Sequence, residues 1–150
     1  MHTAVTHWLA QAATDPETTL RLWDMGGTSP LLTGRRWDAV RLNFTLGTAA
    51  VSELKADSDP IGPYLMSDTE RAMRWLLPLG TSYRFAGMDG VVVYPTDWAV
   101  LAPPPARCVG GRAWVLPQET AGQGRRPVLT SAERLLAAID TARHRLVRKA

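Results

Sequence analysis

The C-terminal segment, residues 131–150, constrains the fold most, because it carries the clearest helical pattern in the sequence. Leu135, Ile139, Ala142 and Leu146 recur at spacings of four, three and four residues, which is the period of one face of an α-helix. On a helical wheel at about 100° per residue, these side chains lie within about 60° of one another. An amphipathic helix of this kind buries its apolar face against other elements, so the rest of the chain has to supply a docking surface.

The segments before this helix are short and differ in pattern. The first 25 residues predict helices, with Asp15 as the N-cap and Pro16 at the first helical position of the second helix. A third helix is predicted over residues 46–56. Gly62 and Pro63 suit an edge position for the strand in which they lie. The runs that predict strands are residues 37–42, 61–66, 91–94, 98–102 and 113–116.

Residues 67–77 fit two structures, and the sequence does not decide between them. Ser67-Asp68-Thr69-Glu70 is a capping-box pattern, which predicts a helix that runs through Leu77. The same four residues also fit a hairpin turn that leads into a second strand over residues 71–77. Both alternatives stay open at this point.

Together these patterns predict an α+β fold. We expect residues 1–150 to form a single domain with N-terminal helices, a mainly antiparallel sheet of about four to six strands, and a C-terminal basic amphipathic helix packed against the sheet. Residues 121–127 are rich in Gly, Gln and Arg, which predicts a mobile loop. The six tryptophans lie beside apolar neighbours, so we expect most of them in the core.

Several features argue against a membrane or secreted protein. The longest apolar runs, such as residues 90–94, are far shorter than the roughly 20 residues that a membrane-spanning helix needs. The N-terminal segment has neither a basic region nor a continuous apolar region, so no signal peptide is predicted. The single cysteine, Cys108, fits a reducing compartment. We therefore expect a cytoplasmic protein that makes no contact with a membrane.

The charge is distributed unevenly along the chain. The formal net charge is +3, but residues 125–150 hold seven basic and two acidic side chains, whereas residues 1–124 hold ten basic and twelve acidic ones. This asymmetry is typical of a site for nucleic acid, DNA or RNA, or for an acidic partner. The same residues also suit the C-terminal end of a helix dipole. The candidate phosphate-binding residues of this segment are Arg125, Arg126, Arg134, Arg145, Arg148 and Lys149.

A second candidate site lies in the N-terminal half. Arg35 and Arg36 follow a Thr-Gly turn, and arginines on loops can make bidentate contacts with phosphate oxygens. A solvated loop explains the same two residues without any ligand. We predict no catalytic residue, no metal site and no cofactor, because the chain has no Walker loop, no dinucleotide fingerprint, no nucleophile elbow and no zinc-protease motif.

Two stretches of the chain carry a resemblance to a known family. The first has a tryptophan and a helix opened by Asp-Pro (residues 8–16), followed by Thr-Gly and Asp-Ala-Val (residues 33–40). The second is WAVLAPP (residues 98–104), followed by Gly-Gly and a tryptophan (residues 110–114). Together they resemble the N-terminal domains of actinobacterial bifunctional DNA primase/polymerases (prim-pol). The resemblance implies an α+β fold and a function that involves nucleic acid.

The chain departs from the catalytic pattern of that family. The polymerase motif of the family resembles Asp-x-Asp on a central strand, with a histidine on a later strand. Here Asp38 is followed by Ala-Val-Arg41, and no histidine lies between His7 and His144. Because two-metal chemistry needs clustered carboxylates, the resemblance implies a non-catalytic member. We expect Asp38 to form a surface ion pair with its neighbouring arginines.

Three functions remain as hypotheses. The first is a non-catalytic prim-pol-like accessory protein, in which the C-terminal arginines bind nucleic acid. The second is a regulatory module that binds a protein partner or a second copy of itself, without nucleic acid. The third is an enzyme whose site is assembled from other acids, such as Asp89 and Asp97.

Overall fold

The computed structural model describes residues 3–116 and 127–149. This part of the chain forms four helices and seven strands, together with a short 3-10 turn at Ser82–Phe85. The helices are α1 (Ala4–Ala10), α2 (Pro16–Asp24), α3 (Phe44–Ala56) and α4 (Ala132–Lys149). The strands are β1 (Ser29–Leu32), β2 (Asp38–Asn43), β3 (Tyr64–Ser67), β4 (Ala72–Leu77), β5 (Val91–Val93), β6 (Ala99–Ala102) and β7 (Arg112–Val115).

Polar side chains fix the start of three helices. The side chain of Thr3 accepts a hydrogen bond from the Thr6 amide at α1, and Asn43 does the same for the Leu46 amide at α3. Ser131 Oγ accepts from the Arg134 amide at 3.1 Å, which gives α4 its N-terminal cap. These contacts satisfy backbone donors that have no partner within the helix.

All the strand pairs are antiparallel, and they form two sheets. The main sheet has five strands in the order β5-β2-β4-β3-β7, and a second sheet pairs β1 with β6. Two tryptophans stabilise the region of the second sheet, because the indole of Trp23 donates to the carbonyl of Ala102, and that of Trp114 donates to the carbonyl of Pro103, each at 3.0 Å.

The two faces of the main sheet have different environments. The face towards α3 and α4, which we call the inner face, is apolar, and its buried side chains include Val40, Met73 and Trp75. The outer face is apolar over the part where Trp37 and Trp114 pack with the N-terminal helices and the second sheet. Side chains alternate between the two faces along a strand, so the residues next to each inner-face residue in the strand lie on the outer face. The rest of the outer face is polar, and it positions the site described below.

The predicted fold class is confirmed. The structure has the N-terminal helices, an antiparallel main sheet of five strands and a C-terminal helix packed against α3. The second sheet is not predicted, because β1 contains Pro30 and its sequence resembles a turn. Four of the six tryptophans are buried, namely Trp23, Trp37, Trp75 and Trp114, which confirms the prediction that most of them lie in the core.

The ambiguity over residues 67–77 is resolved in favour of the hairpin. Ser67 Oγ does accept from the Glu70 amide at 3.4 Å, as a capping box requires. No helix follows, because Arg71 takes a left-handed conformation with φ of 51° and the chain continues as β4. The predicted edge position of β3 is wrong. This strand pairs with both β4 and β7, and it can do so because Gly62 and Pro63 precede its first residue.

No helix in the part of the chain that the structure describes is long and apolar enough to cross a membrane.

Candidate nucleic-acid interface

The C-terminal arginines that the sequence predicts as phosphate-binding residues do not form one patch. Arg134 pairs with Asp59, and Arg145 Nε lies 2.5 Å from Glu53 Oε1 of α3. Arg148 is exposed near the end of α4, and Lys149 is the last residue of that helix. Two of the five basic residues on this helix, Arg134 and Arg145, are therefore matched by acids at or beside α3.

The other nominated residues lie elsewhere. Arg125 and Arg126, together with residues 121–126 of the predicted loop, lie outside the described residues. Arg35 Nε donates to Asp97 Oδ1 at 2.8 Å, while the neighbouring Arg36 is exposed and its side chain has no hydrogen bond or ion pair within the described ranges. The structure thus places the nominated arginines on α4 and on the loop before β2, and it does not bring the two sets together.

Asp38, the acid at the position of the prim-pol resemblance, does not form the predicted ion pair with a neighbouring arginine. Its Oδ2 accepts from the Ser82 amide at 3.0 Å, which ties the start of β2 to the 3-10 turn. The carboxylate therefore satisfies a backbone donor. The sequence could not show this contact, because Ser82 is far along the chain from Asp38.

The acids of the enzyme hypothesis do not form a cluster either. Asp89 precedes β5 and Asp97 follows it, so the two lie beyond opposite ends of one strand. Among residues 3–116 and 127–149, no group of three or more His, Cys, Asp or Glu side chains could hold a metal ion.

Three other arginines converge on the polar part of the outer face. Arg41 of β2 lies directly opposite Arg74 of β4 in the strand register. Like charges at such a position destabilise a sheet unless an acid compensates them. Arg112 reaches the same place from β7, and we call these three residues together with Glu70 the arginine cluster.

Glu70 holds the cluster together from the turn between β3 and β4. Its Oε2 accepts from Arg74 Nη2 at 2.7 Å, and its Oε1 accepts from Arg112 Nη2 at 2.6 Å. Arg41 Nη1 lies 3.9 Å from Oε2, and Ser67 Oγ donates to Oε1 at 3.0 Å. The hydrogen bond from Arg74, together with the charges of Arg74 and Arg112 and the Ser67 contact, lowers the pKa of Glu70 to about 2. The carboxylate is therefore ionised at neutral pH.

Arg74 is the buried member of the cluster, and its side chain is only 8% exposed. Its Nε donates to the hydroxyl of Tyr94 at 2.9 Å. Burial opposes its charge, but the hydrogen bonds with Glu70 and Tyr94 raise its pKa on balance. Its third nitrogen, Nη1, is buried and has no hydrogen-bond partner in the described structure, which is unusual for a charged donor.

An aromatic pair borders the arginine cluster. The ring of Tyr94 stacks on the indole of Trp98, with centroids 5.7 Å apart and planes at 20°. Trp98 is 50% exposed, so part of its indole remains accessible. A pocket of about 300 Å³ adjoins the pair, and its lining includes Tyr94, Tyr83 and Thr96. Tyr94 thus contacts both the pocket and the arginine cluster.

This arrangement offers chemical groups that can bind an anionic ligand with an aromatic part. Guanidinium groups match phosphate and carboxylate oxygens in pairs of hydrogen bonds, and exposed aromatic rings offer surfaces on which bases stack. Within the described residues, three guanidinium groups face one carboxylate, so this part of the structure leaves two positive charges uncompensated for an anionic ligand.

Sequence reasoning missed the arginine cluster, although a signal was present. Arg74 stands inside the run Ala-Met-Arg-Trp-Leu-Leu of β4, and Arg41 stands between Val40 and Leu42 of β2. A charged residue in a strand that is otherwise apolar needs a partner. No local pattern, however, shows that Glu70 and Arg112 would meet it.

Comparison with known proteins finds no matching family model, no similar curated protein and no similar solved structure. The resemblance to prim-pol domains therefore remains a prediction.

Proposed function

We propose that the chain is a cytoplasmic, non-catalytic protein that binds single-stranded nucleic acid on the outer face of its main sheet. The observation that carries the proposal is the convergence of three arginines on a single glutamate beside a stacked aromatic pair. The proposal keeps the accessory role that the prim-pol resemblance implies, but it moves the binding residues from α4 to the sheet.

The arginines support contacts with the phosphate backbone. Arg41 and Arg112 keep 38% and 20% of their side chains exposed, so both can reach a ligand from the protein surface. Phosphate contacts position a strand without selecting its sequence. We therefore expect broad binding with a strong dependence on salt concentration.

The aromatic pair supports a single strand over a duplex. Trp98 is half exposed and already stacked on Tyr94, so its free surface is held in place for a base. Bases in a duplex are stacked on one another and do not offer their faces, whereas single strands stack readily on protein aromatic rings. Val92, on the same face as Arg41, is 52% exposed and extends the accessible apolar surface.

The test is a titration of labelled oligonucleotides followed by fluorescence anisotropy. At about 50 mM salt we expect the full chain to bind a mixed-sequence single strand more tightly than the matching duplex, with weaker binding as salt rises. Trp98→Ala should raise the Kd for the single strand about tenfold, since one stacked base contributes roughly 1–3 kcal/mol.

The control is Val147→Ala, which also shortens an exposed apolar side chain, 75% exposed, but one that lies on α4, away from the outer face of the main sheet. We expect this variant to change the Kd by less than about threefold. An absence of binding at about 50 mM salt, or equal effects of the two substitutions, would contradict the proposal.

A second candidate function is a regulatory protein-interaction module, including a homo-oligomer. It is favoured by adjacent apolar side chains near the end of α4, where Leu146 is 37% and Val147 is 75% exposed. Exposed apolar patches often mark partner surfaces. Light scattering during size-exclusion chromatography tests it, since a dimer that becomes a monomer in Val147→Asp would favour this function.

A further inference from the structure

We propose that the arginine cluster is a site for a phosphomonoester, which on a nucleic-acid strand is the terminal phosphate. This inference rests on the proposed function, because it states which part of a strand the cluster recognises. The same chemistry would accept inorganic phosphate, and that ion therefore serves as a probe that needs no strand.

The charge of the cluster matches a phosphomonoester. Arg41, Arg74 and Arg112 surround the carboxylate of Glu70, so two positive charges remain among the residues that the structure describes. A phosphomonoester carries about −1.5 to −2 at neutral pH, whereas a phosphodiester within a strand carries −1. Only the terminal group neutralises the cluster by itself.

The free hydrogen-bond donors that a ligand can reach belong to Arg41, whose side chain is 38% exposed. Arg41 lies 3.9 Å from Glu70 and makes no hydrogen bond through its guanidinium within the described residues. Arg112 already uses Nη2 for Glu70 and Nη1 for the carbonyl of Leu101 at 2.7 Å. Arg41 is therefore the residue that can offer a full guanidinium edge to phosphate oxygens.

Arg74 contributes from beneath this contact. It is buried, and its Nη1 is a charged donor without a hydrogen-bond partner in the described structure. Nη1 is itself covered, so Arg74 acts mainly through its charge, which is stronger in a medium that excludes water. Glu70 and Tyr94 fix the position of Arg74, and a ligand therefore meets an electrostatic field that is already organised.

The experiment compares three short single strands of one sequence, which carry a 5′-phosphate, a 3′-phosphate or only hydroxyl ends. We expect one phosphorylated end to lower the Kd about tenfold relative to the hydroxyl strand, the size of one strong charge-assisted contact. In parallel, inorganic phosphate should raise the Tm of the wild-type chain above its value in chloride at equal ionic strength, because a ligand that binds only the folded state stabilises it.

Arg41→Gln is the test variant, and Arg21→Gln is the matched control. Arg21 is an exposed arginine of α2 whose side chain donates to Thr18 within the described residues, so each variant loses one positive charge that solvent can reach. We expect Arg41→Gln to abolish the preference for a phosphorylated end and the phosphate-dependent rise in Tm, and Arg21→Gln to retain both.

The outcomes separate this inference from the proposed function. Equal Kd values for the three strands, within about twofold, would overturn the phosphomonoester site and leave single-strand binding intact. Stabilisation by phosphate that is lost in Arg41→Gln, without binding of any strand, would support the site and overturn the proposed function. If the protein bound no strand and phosphate did not stabilise it, both the phosphomonoester site and the proposed function would be overturned.

Discussion

The protein has two basic regions of different construction. On α4, Arg134 and Arg145 each face one acid, and Arg148 is exposed and has no ion pair among the described residues. In the arginine cluster, three arginines from three strands face the single acid Glu70. The helix carries its charge where the sequence is densest in arginine, whereas the sheet gathers arginines that lie far apart in the chain.

The difference shows that a run of charges in a sequence is a poor measure of charge concentration in the fold. On the helix, neighbouring acids such as Glu133 and Asp140 are exposed alongside the arginines, and one acid offsets each of two arginines. In the sheet, the strand register places Arg41 directly opposite Arg74. The acid that they share compensates only part of their positive charge. Uncompensated charge of this kind is what an anionic ligand can neutralise.

The largest effect is expected when the shared acid is removed. Glu70→Gln leaves three arginines, one of them buried, without their carboxylate, and we expect the free energy of unfolding to fall by about 2 kcal/mol. Glu53→Gln removes the partner of Arg145 alone, and Arg145 is 67% exposed, so water can solvate its charge and we expect a cost of only about 0.5 kcal/mol. Urea denaturation of the two variants measures both values, and equal losses would remove the distinction between the two regions.

A smaller effect is expected from the hydroxyl that supports Arg74. Tyr94→Phe keeps the stacked ring but leaves Nε of Arg74 without its acceptor, so we expect a loss of about 1 kcal/mol. Tyr83→Phe removes a hydroxyl from an exposed tyrosine and should leave stability unchanged. A neutral result for Tyr94→Phe would mean that Arg74 keeps its position without this contact.

A third effect concerns pH. The pKa of Glu70 is lowered from 4.5 to about 2, so the folded state binds the Glu70 proton less tightly than the unfolded state does. Its contribution to stability is complete above pH 4.5 and is lost as the pH falls towards 2, while Arg41, Arg74 and Arg112 stay protonated throughout. The stability difference between wild type and Glu70→Gln should therefore shrink between these pH values. A difference that is constant over this range would exclude the lowered pKa.

Much of the fold could be predicted from local patterns. The cap and apolar period of α4, and Asp15-Pro16 at the start of α2, depend on residues a few positions apart, and local rules describe them well. The second sheet escaped prediction because Pro30 suggests a turn. In the fold, β1 pairs with β6, about seventy residues away along the chain, and a pairing at that distance leaves no local trace.

The candidate site was predicted less well, for a related reason. Local charge density pointed to Arg145 and Arg148, but the cluster depends on the register between β2 and β4 and on the turn that brings Glu70 over the sheet. The choice between helix and hairpin at residues 67–77 decides that geometry, and the sequence left it open. A site that depends on strand pairing between distant parts of the chain can be predicted only when that pairing is known.

The salt dependence of single-strand binding tests the central claim most directly. We compare wild type with Arg41→Gln/Arg112→Gln and with Arg145→Gln/Arg148→Gln, after circular dichroism has shown that all three are folded. Each lost phosphate contact should reduce the slope of log K against log salt by about 0.7, so the sheet variant should lose about 1.4 and the helix variant should keep the wild-type slope. A reduced slope in the helix variant, with no change in the sheet variant, would contradict the account.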